Sequence, residues 1–162
     1  MRRLSAALIL AALLLTACSR APQLHQREAF VFGTRVEVSV WGESADKAAQ
    51  ALAAVLAEFD RLHRLLHAWQ PSELTTLNDA IARGEGNIAV SAELTFLLKD
   101  AADIAARSDQ LFNPAIGRLV ALWGFHSDEF RPQLPDMAAV EAVAKARPSM
   151  SDLTITDNSV SS

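Results

Sequence analysis

The sequence has no apolar run long enough to cross a bilayer: its longest, Leu4 to Leu15, is 12 residues, where a spanning helix needs about 20. It has a single cysteine, Cys18, so an intrachain disulfide is excluded. It has no stripe of lysine and arginine, and its net charge is −4, which leaves no electrostatic footprint for nucleic acid. No internal repeat or low-complexity tract is present. There is no Gly-x-Ser-x-Gly, which removes one common serine-nucleophile frame. Gly84-Glu85-Gly86 lacks the Lys-Ser/Thr that completes a phosphate loop, so it reads as a helix stop. What remains has 51% hydrophobic and 21% charged residues, the balance of a globular domain.

The opening residues are specific. Arg2 and Arg3 precede the 12-residue apolar run, with the length and flanks of a secretory signal core. Leu15-Thr16-Ala17-Cys18 then resembles the lipobox of bacterial lipoproteins. That resemblance implies cleavage before Cys18 and a diacylglyceryl group on its thiol; the alternative is an ordinary signal peptide with a chance cysteine. Acyl chains anchor a protein at a membrane surface at about 0.8 kcal/mol per buried methylene. The expected organisation is a signal peptide over 1–17, a lipidated polar tether over 18–27 and a folded part over 28–162. Without residues 1–17 the chain keeps 13 basic residues against 19 acidic ones, a net of −6.

The folded part reads as α+β, helices packed on a mainly antiparallel sheet. Phe30, Phe32, Val36, Val38 and Val40 share one parity, which predicts a half-buried strand bent or broken at Gly33. Ser44 caps a long helix predicted to reach Trp69, with Leu52, Val55, Leu56, Phe59, Leu62, Leu66 and Trp69 as its buried stripe. Ser72 caps a short helix that stops at Gly84, and Ile88 to Val90 is a brief strand. Ser91 caps a helix with Leu94, Leu97, Leu98, Ala101 and Ile104 inward. Ser108 to Pro114 is irregular, Ala115 to Trp123 a short buried helix, and 126–135 a polar loop. Asp136 caps a last helix, and Leu153 to Thr156 opens a hairpin whose second strand begins at Val160. A hairpin strand without partners is marginal. The residues fit either an incomplete domain or a small α+β domain with a frayed tail, and the first reading is preferred.

Chemistry is harder to read. His63 and His67, four apart on one helix face, lack a third zinc ligand and are expected to be solvent-exposed. Cys18 is spent on lipid, and spacing alone selects no catalytic carboxylate pair. The residues by themselves give an anchored α+β domain and no reaction.

Four stretches in order supply one. Phe32-Gly33-Thr34 stands where the ApbE family, the FAD:protein FMN transferases, has Met-Gly-Thr. Phe59-Asp60-Arg61-Leu62 and Trp69-Gln70-Pro71-Ser72-Glu73-Leu74 with Asn78 resemble its helix end and its Tyr-x-x-x-Ser-Glu-(x)-Asn segment. Ser108-Asp109-Gln110-Leu111-Phe112-Asn113-Pro114 resembles its Ser-Asp-Gly-Ala-Phe-Asp-Pro, and Leu122-Trp123-Gly124-Phe125 its Leu-Trp-Gly-Phe. The resemblance to this family's N-terminal part implies an Mg²⁺-assisted transferase that passes FMN from FAD to a threonine of an exported acceptor protein and releases AMP. It implies FAD contacts at Phe32, Trp69, Leu111, Phe112 and Asn113, on one wall of a cleft. Trp69 is equally compatible with core packing, Phe112 and Trp123 read first as core residues, and Ser72 first as a helix cap. Gln110, Asn113 and Ala115 depart from the family's Gly, Asp and Thr. The family's Gly-Gly-x-Ala-Lys-Gly segment and later Asp/Thr metal ligands do not occur here. From this, Mg²⁺ ligands are expected in a missing C-terminal part, and the chain alone is expected to be inactive. The competing reading is a non-catalytic periplasmic lipoprotein that binds flavin or a partner protein.

Overall fold

The structure, a computed structural model, describes residues 21–129 and 133–162. The signal peptide and Cys18 lie outside them. The chain divides into two compact units, Met1–Arg61 and Leu62–Ser162. Its class is α+β, as expected, but the strands form two antiparallel sheets rather than one.

The first unit is built on a hairpin. β1 (Leu24–Val31) pairs with β2 (Thr34–Trp41) in a register that sets Val31 opposite Thr34. Phe32 and Gly33 are the whole turn, both with positive φ (56° and 71°). Such a two-residue turn matches the right-handed twist of the strands. Gly33 adopts it freely, whereas an aromatic residue at positive φ is strained.

This turn corrects the single-strand expectation. In an antiparallel pair the residues directly opposite share a face, so parity switches between the strands. Val31 is buried and Ala29 half-buried, on the face of Val36, Val38 and Val40, while Phe30 lies opposite Arg35 and is 80% exposed. Phe30 shares its face with Gln26, Glu28 and Glu37, where the Gln26 amide donates to Glu37 at 2.6 Å. The pairing also takes Leu24 to Arg27 out of the expected tether, because their backbone groups bond to β2.

Helix α1 (Ala45–Leu65) begins with the Ala48 N–H donating to the Ser44 carbonyl at 2.9 Å. Its Ala48 and Leu52 are buried, and the rest of the expected stripe is half-buried as far as Leu66, while Trp69, beyond the helix, is exposed. The helix stops four residues before Trp69. The cause is local: the His67 ring Nδ1 accepts from the Gln70 N–H at 3.0 Å, and Ser72 Oγ donates to the His67 carbonyl at 2.7 Å. Side chains thus satisfy backbone groups that a further helical turn would have used.

The second unit packs helices on a three-stranded sheet. α2 (Glu73–Ala82) is capped by Ser72, whose Oγ accepts from Thr75 N–H while Thr75 Oγ1 accepts from Ser72 N–H. β3 (Ile88–Ala89) leads to α3 (Ala92–Arg107), capped by Ser91. After a turn of 3₁₀ helix (Pro114–Ile116) come α4 (Gly117–Leu122) and α5 (Met137–Ala146), then a second 3₁₀ turn (Met150–Asp152), β4 (Thr154–Ile155) and β5 (Ser159–Ser161). The strand order is β3-β5-β4. The strand expected to lack partners is therefore the middle one: Val160 pairs with both Ile88 and Ile155 and is fully buried.

Leu77, Ala80, Ile88, Leu94 and Val160 form the core, with Leu66, Leu74, Ile81 and Leu98 half-buried against it. Thr95 is also buried, its hydroxyl donating to the Asp157 carbonyl at 2.8 Å. Besides Trp69 and Phe112, two more expectations of burial fail. Ile104 is exposed and Ala105 takes the inward place, while α4 has no buried residue and leaves Trp123 44% exposed. The reason is visible at its end: Gly124 and Phe125 N–H donate to the carbonyls of Ala121 and Val120, a helix stop that turns the chain outward within six residues.

Candidate functional site

The site residues fall into three groups. In the first unit Phe32 sits at the hairpin turn, 46% exposed, with its ring centroid 5.9 Å from that of Phe59. A strained backbone that presents an aromatic side chain is characteristic of ligand-contacting positions.

Trp69 belongs to the second unit, in the turn between α1 and α2. Its indole Nε1–H donates to Asp128 Oδ1 at 3.0 Å, and the Gln70 amide donates to the other oxygen of the same carboxylate at 2.9 Å. The His67 ring meets the indole edge-on at 4.7 Å and 80°, and the His126 ring lies at 5.9 Å and 31°. His63 in turn lies 4.8 Å from His67. The hydrogen bond from Gln70, then that from Trp69, holds the Asp128 carboxyl below the ordinary carboxylate range, and the neighbouring histidines act in the same direction. Trp69 is still 37% exposed, so it is no core residue. His67 corrects an expectation: it is buried, and its Nδ1 is an acceptor rather than a solvated group.

The third group is the turn after α3. Ser108 closes the helix, and Asp109 and Gln110 both take positive φ, 52° and 64°. Gln110 holds this conformation where the resembled pattern has glycine. Leu111 is 92% exposed and Phe112 45% exposed. Asn113 caps the following turn: its Oδ1 accepts from Ala115 N–H at 3.0 Å, and its Nδ2 donates to the Pro148 carbonyl at 2.8 Å. Aspartate could accept the first bond but not donate the second, which gives a physical reason for asparagine here. Gln110 and Asn113 line a cavity of about 340 Å³ with Ile116, Val143, Arg147 and Ser149; Phe112 and Trp69 are not among its lining residues.

Sequence reasoning missed Asp128, His126 and the structural part played by His67. Asp128 lies 59 residues from Trp69 in a polar loop, and no spacing links them. Among the described residues no three His, Cys, Asp or Glu side chains are grouped to hold a metal ion, so none of them is assigned to the implied Mg²⁺.

Comparison with known proteins adds the family. The model of the ApbE family matches residues 32–162. The FAD:protein FMN transferase of Rhodobacter capsulatus is 39% identical over 159 residues, 98% of this chain and 30% of that protein. The enzyme of the same description from Escherichia coli K12 is 27% identical over 162 residues, 94% of this chain and 45% of that protein. Among solved structures, the ApbE protein of Thermotoga maritima superposes with a TM-score of 0.68 at 22% identity, over 86% of this chain and 44% of that one. The flavin transferase ApbE of Vibrio cholerae gives 0.58 at 20% identity, over 86% and 45%. Both share the fold. The chain spans less than half the length of these relatives, and it belongs to the ApbE family.

Proposed function

We propose that this ApbE-family chain carries part of an FAD:protein FMN transferase, contributing aromatic surface for the flavin. In the reaction a threonine Oγ of an exported acceptor attacks the FMN-side phosphorus of FAD. The pyrophosphate P–O bond breaks, AMP leaves as the phosphate monoester, and the hydroxyl proton passes to a base or to solvent. Magnesium would offset charge on the phosphate oxygens.

The observation that carries this reading is Trp69: an ordered, part-exposed indole on the segment that aligns with the family. Flat heterocycles gain from stacking on such rings. Phe32, Leu111 and Phe112 are proposed to add contacts. Cys18 is proposed to carry the lipid that holds the protein on the membrane facing the periplasm.

One observation favours the competing reading, a non-catalytic periplasmic lipoprotein that binds flavin or a partner protein. Both functional ends of the Asn113 amide are engaged within the fold, leaving no negative charge at that position. The two readings separate in one experiment. The chain is titrated with FAD by flavin fluorescence, then given Mg²⁺ and an acceptor with an exposed threonine. Saturable quenching supports flavin binding, and its absence overturns the transferase reading and leaves of the other only the binding of a partner protein. Quenching without AMP release is expected of this chain alone. AMP release with FMN on the acceptor would overturn that expectation and the non-catalytic reading.

A further inference from the structure

Asp128, in the second unit, engages two neighbouring side chains at once. Both carboxylate oxygens are occupied, one by the Trp69 indole and one by the Gln70 amide. A single carboxylate thereby holds two consecutive residues, and its bond to the indole adds to the ring contacts of His67 and His126 in restraining the ring. The same short loop brings His126, two residues away, alongside the indole. The His67 ring, which meets the indole edge-on at 4.7 Å, is itself held: its Nδ1 accepts from Gln70 N–H and its carbonyl accepts from Ser72 Oγ. The indole thus has a hydrogen-bond partner and two ring neighbours, yet more than a third of Trp69 stays open.

We infer that Asp128 is a positioning residue: with the two ring neighbours it holds Trp69 so that the open part of the indole receives a planar heterocycle, the flavin ring on the reading above. A free indole loses rotamer freedom when a ligand stacks on it, and a clamped one has lost it already. Removing the clamp should weaken flavin binding about three- to tenfold, the cost of one immobilised side chain. Alanine at 128 removes both acceptors. Asparagine keeps one and turns a donor toward the other partner, so it should fall between.

The test uses wild type, Asp128→Ala, Asp128→Asn and Trp69→Phe, each titrated with FAD, together with NMR of the Trp69 indole N–H. Asp128→Ala is expected to expose the indole N–H to rapid solvent exchange, weaken FAD binding three- to tenfold and reduce flavin quenching at saturation. In the Trp69→Phe background, Asp128→Ala should change FAD binding little. Unchanged affinity and quenching in Asp128→Ala would overturn the inference, as would an equal loss in both backgrounds. If wild type takes up no FAD, the flavin reading fails and the ring-receiving part falls with it. The indole exchange rate then still decides whether Asp128 holds Trp69, and a fast rate in wild type overturns that too.

Discussion

The turns at 67–72 and 108–114 both carry candidate flavin contacts, and they differ in backbone strain and in what orders their aromatic ring. The first is dense in side-chain hydrogen bonds: His67, Gln70, Ser72 and Thr75 tie backbone to side chain, and Asp128 fixes Trp69 from a distant loop. The second also has side-chain bonds, from Phe112 N–H to Ser108 Oγ and through both ends of the Asn113 amide, but it adds a strained backbone. Asp109 and Gln110 N–H donate to the carbonyls of Ala106 and Ala105, the closure that α2 and α4 make with Gly84 and Gly124. Here two residues with side chains adopt the left-handed conformation, at a cost of about 1–2 kcal/mol each. One turn spends side chains to order an aromatic ring. The other accepts backbone strain and leaves Leu111 and Phe112 in solvent. Order at Trp69 and exposure at Phe112 therefore have separate causes and should fail separately.

The largest effect should come from a change that undermines both. Leu94 on α3 is fully buried against Leu77 of α2 and Val160, so Leu94→Ala should cost about 2–5 kcal/mol, read as a lower urea midpoint. Asn113→Asp should affect the second turn alone. It turns a carboxylate oxygen on the Pro148 carbonyl, costing about 1–3 kcal/mol, with the Trp69 indole signal unmoved. Gln110→Gly should act with the opposite sign, raising stability by about 0.5–1 kcal/mol through relief of the positive φ.

The smallest effect is a pH dependence confined to the first turn. Asp128 is held below its ordinary value in the folded state, so the unfolded chain binds its proton more readily. Its contribution is complete above the ordinary aspartate value of about 4 and is lost as pH falls through the lowered one. Acid titration of Trp69 fluorescence should show this step in wild type and lose it in Asp128→Asn, while the Asn113 turn shows no matching change.

How much of this was legible in the sequence follows from the range of the interactions. Ser72, Ser91 and Asp136 announced their helices because a cap acts within three residues. The core of α2 and α3 followed from apolar spacing, for the same local reason. The hairpin at Phe32 and Gly33 was missed because a strained aromatic at positive φ is a poor turn signal, and the error moved Phe30 to the wrong face. Val160 was misjudged because its partner Ile88 lies 72 residues away. The early end of α1 depended on a histidine ring accepting a backbone bond, and Trp69's partner on a loop 59 residues on. Asn113 looked like a departure from the family pattern until its bond to the Pro148 carbonyl explained it.

The account turns on Trp69 facing a flavin. Titration of wild type and Trp69→Ala with FAD, followed by flavin fluorescence, addresses it most directly. The account predicts saturable quenching by wild type and at least several-fold weaker, shallower quenching by the variant; equal curves for the two proteins would contradict it.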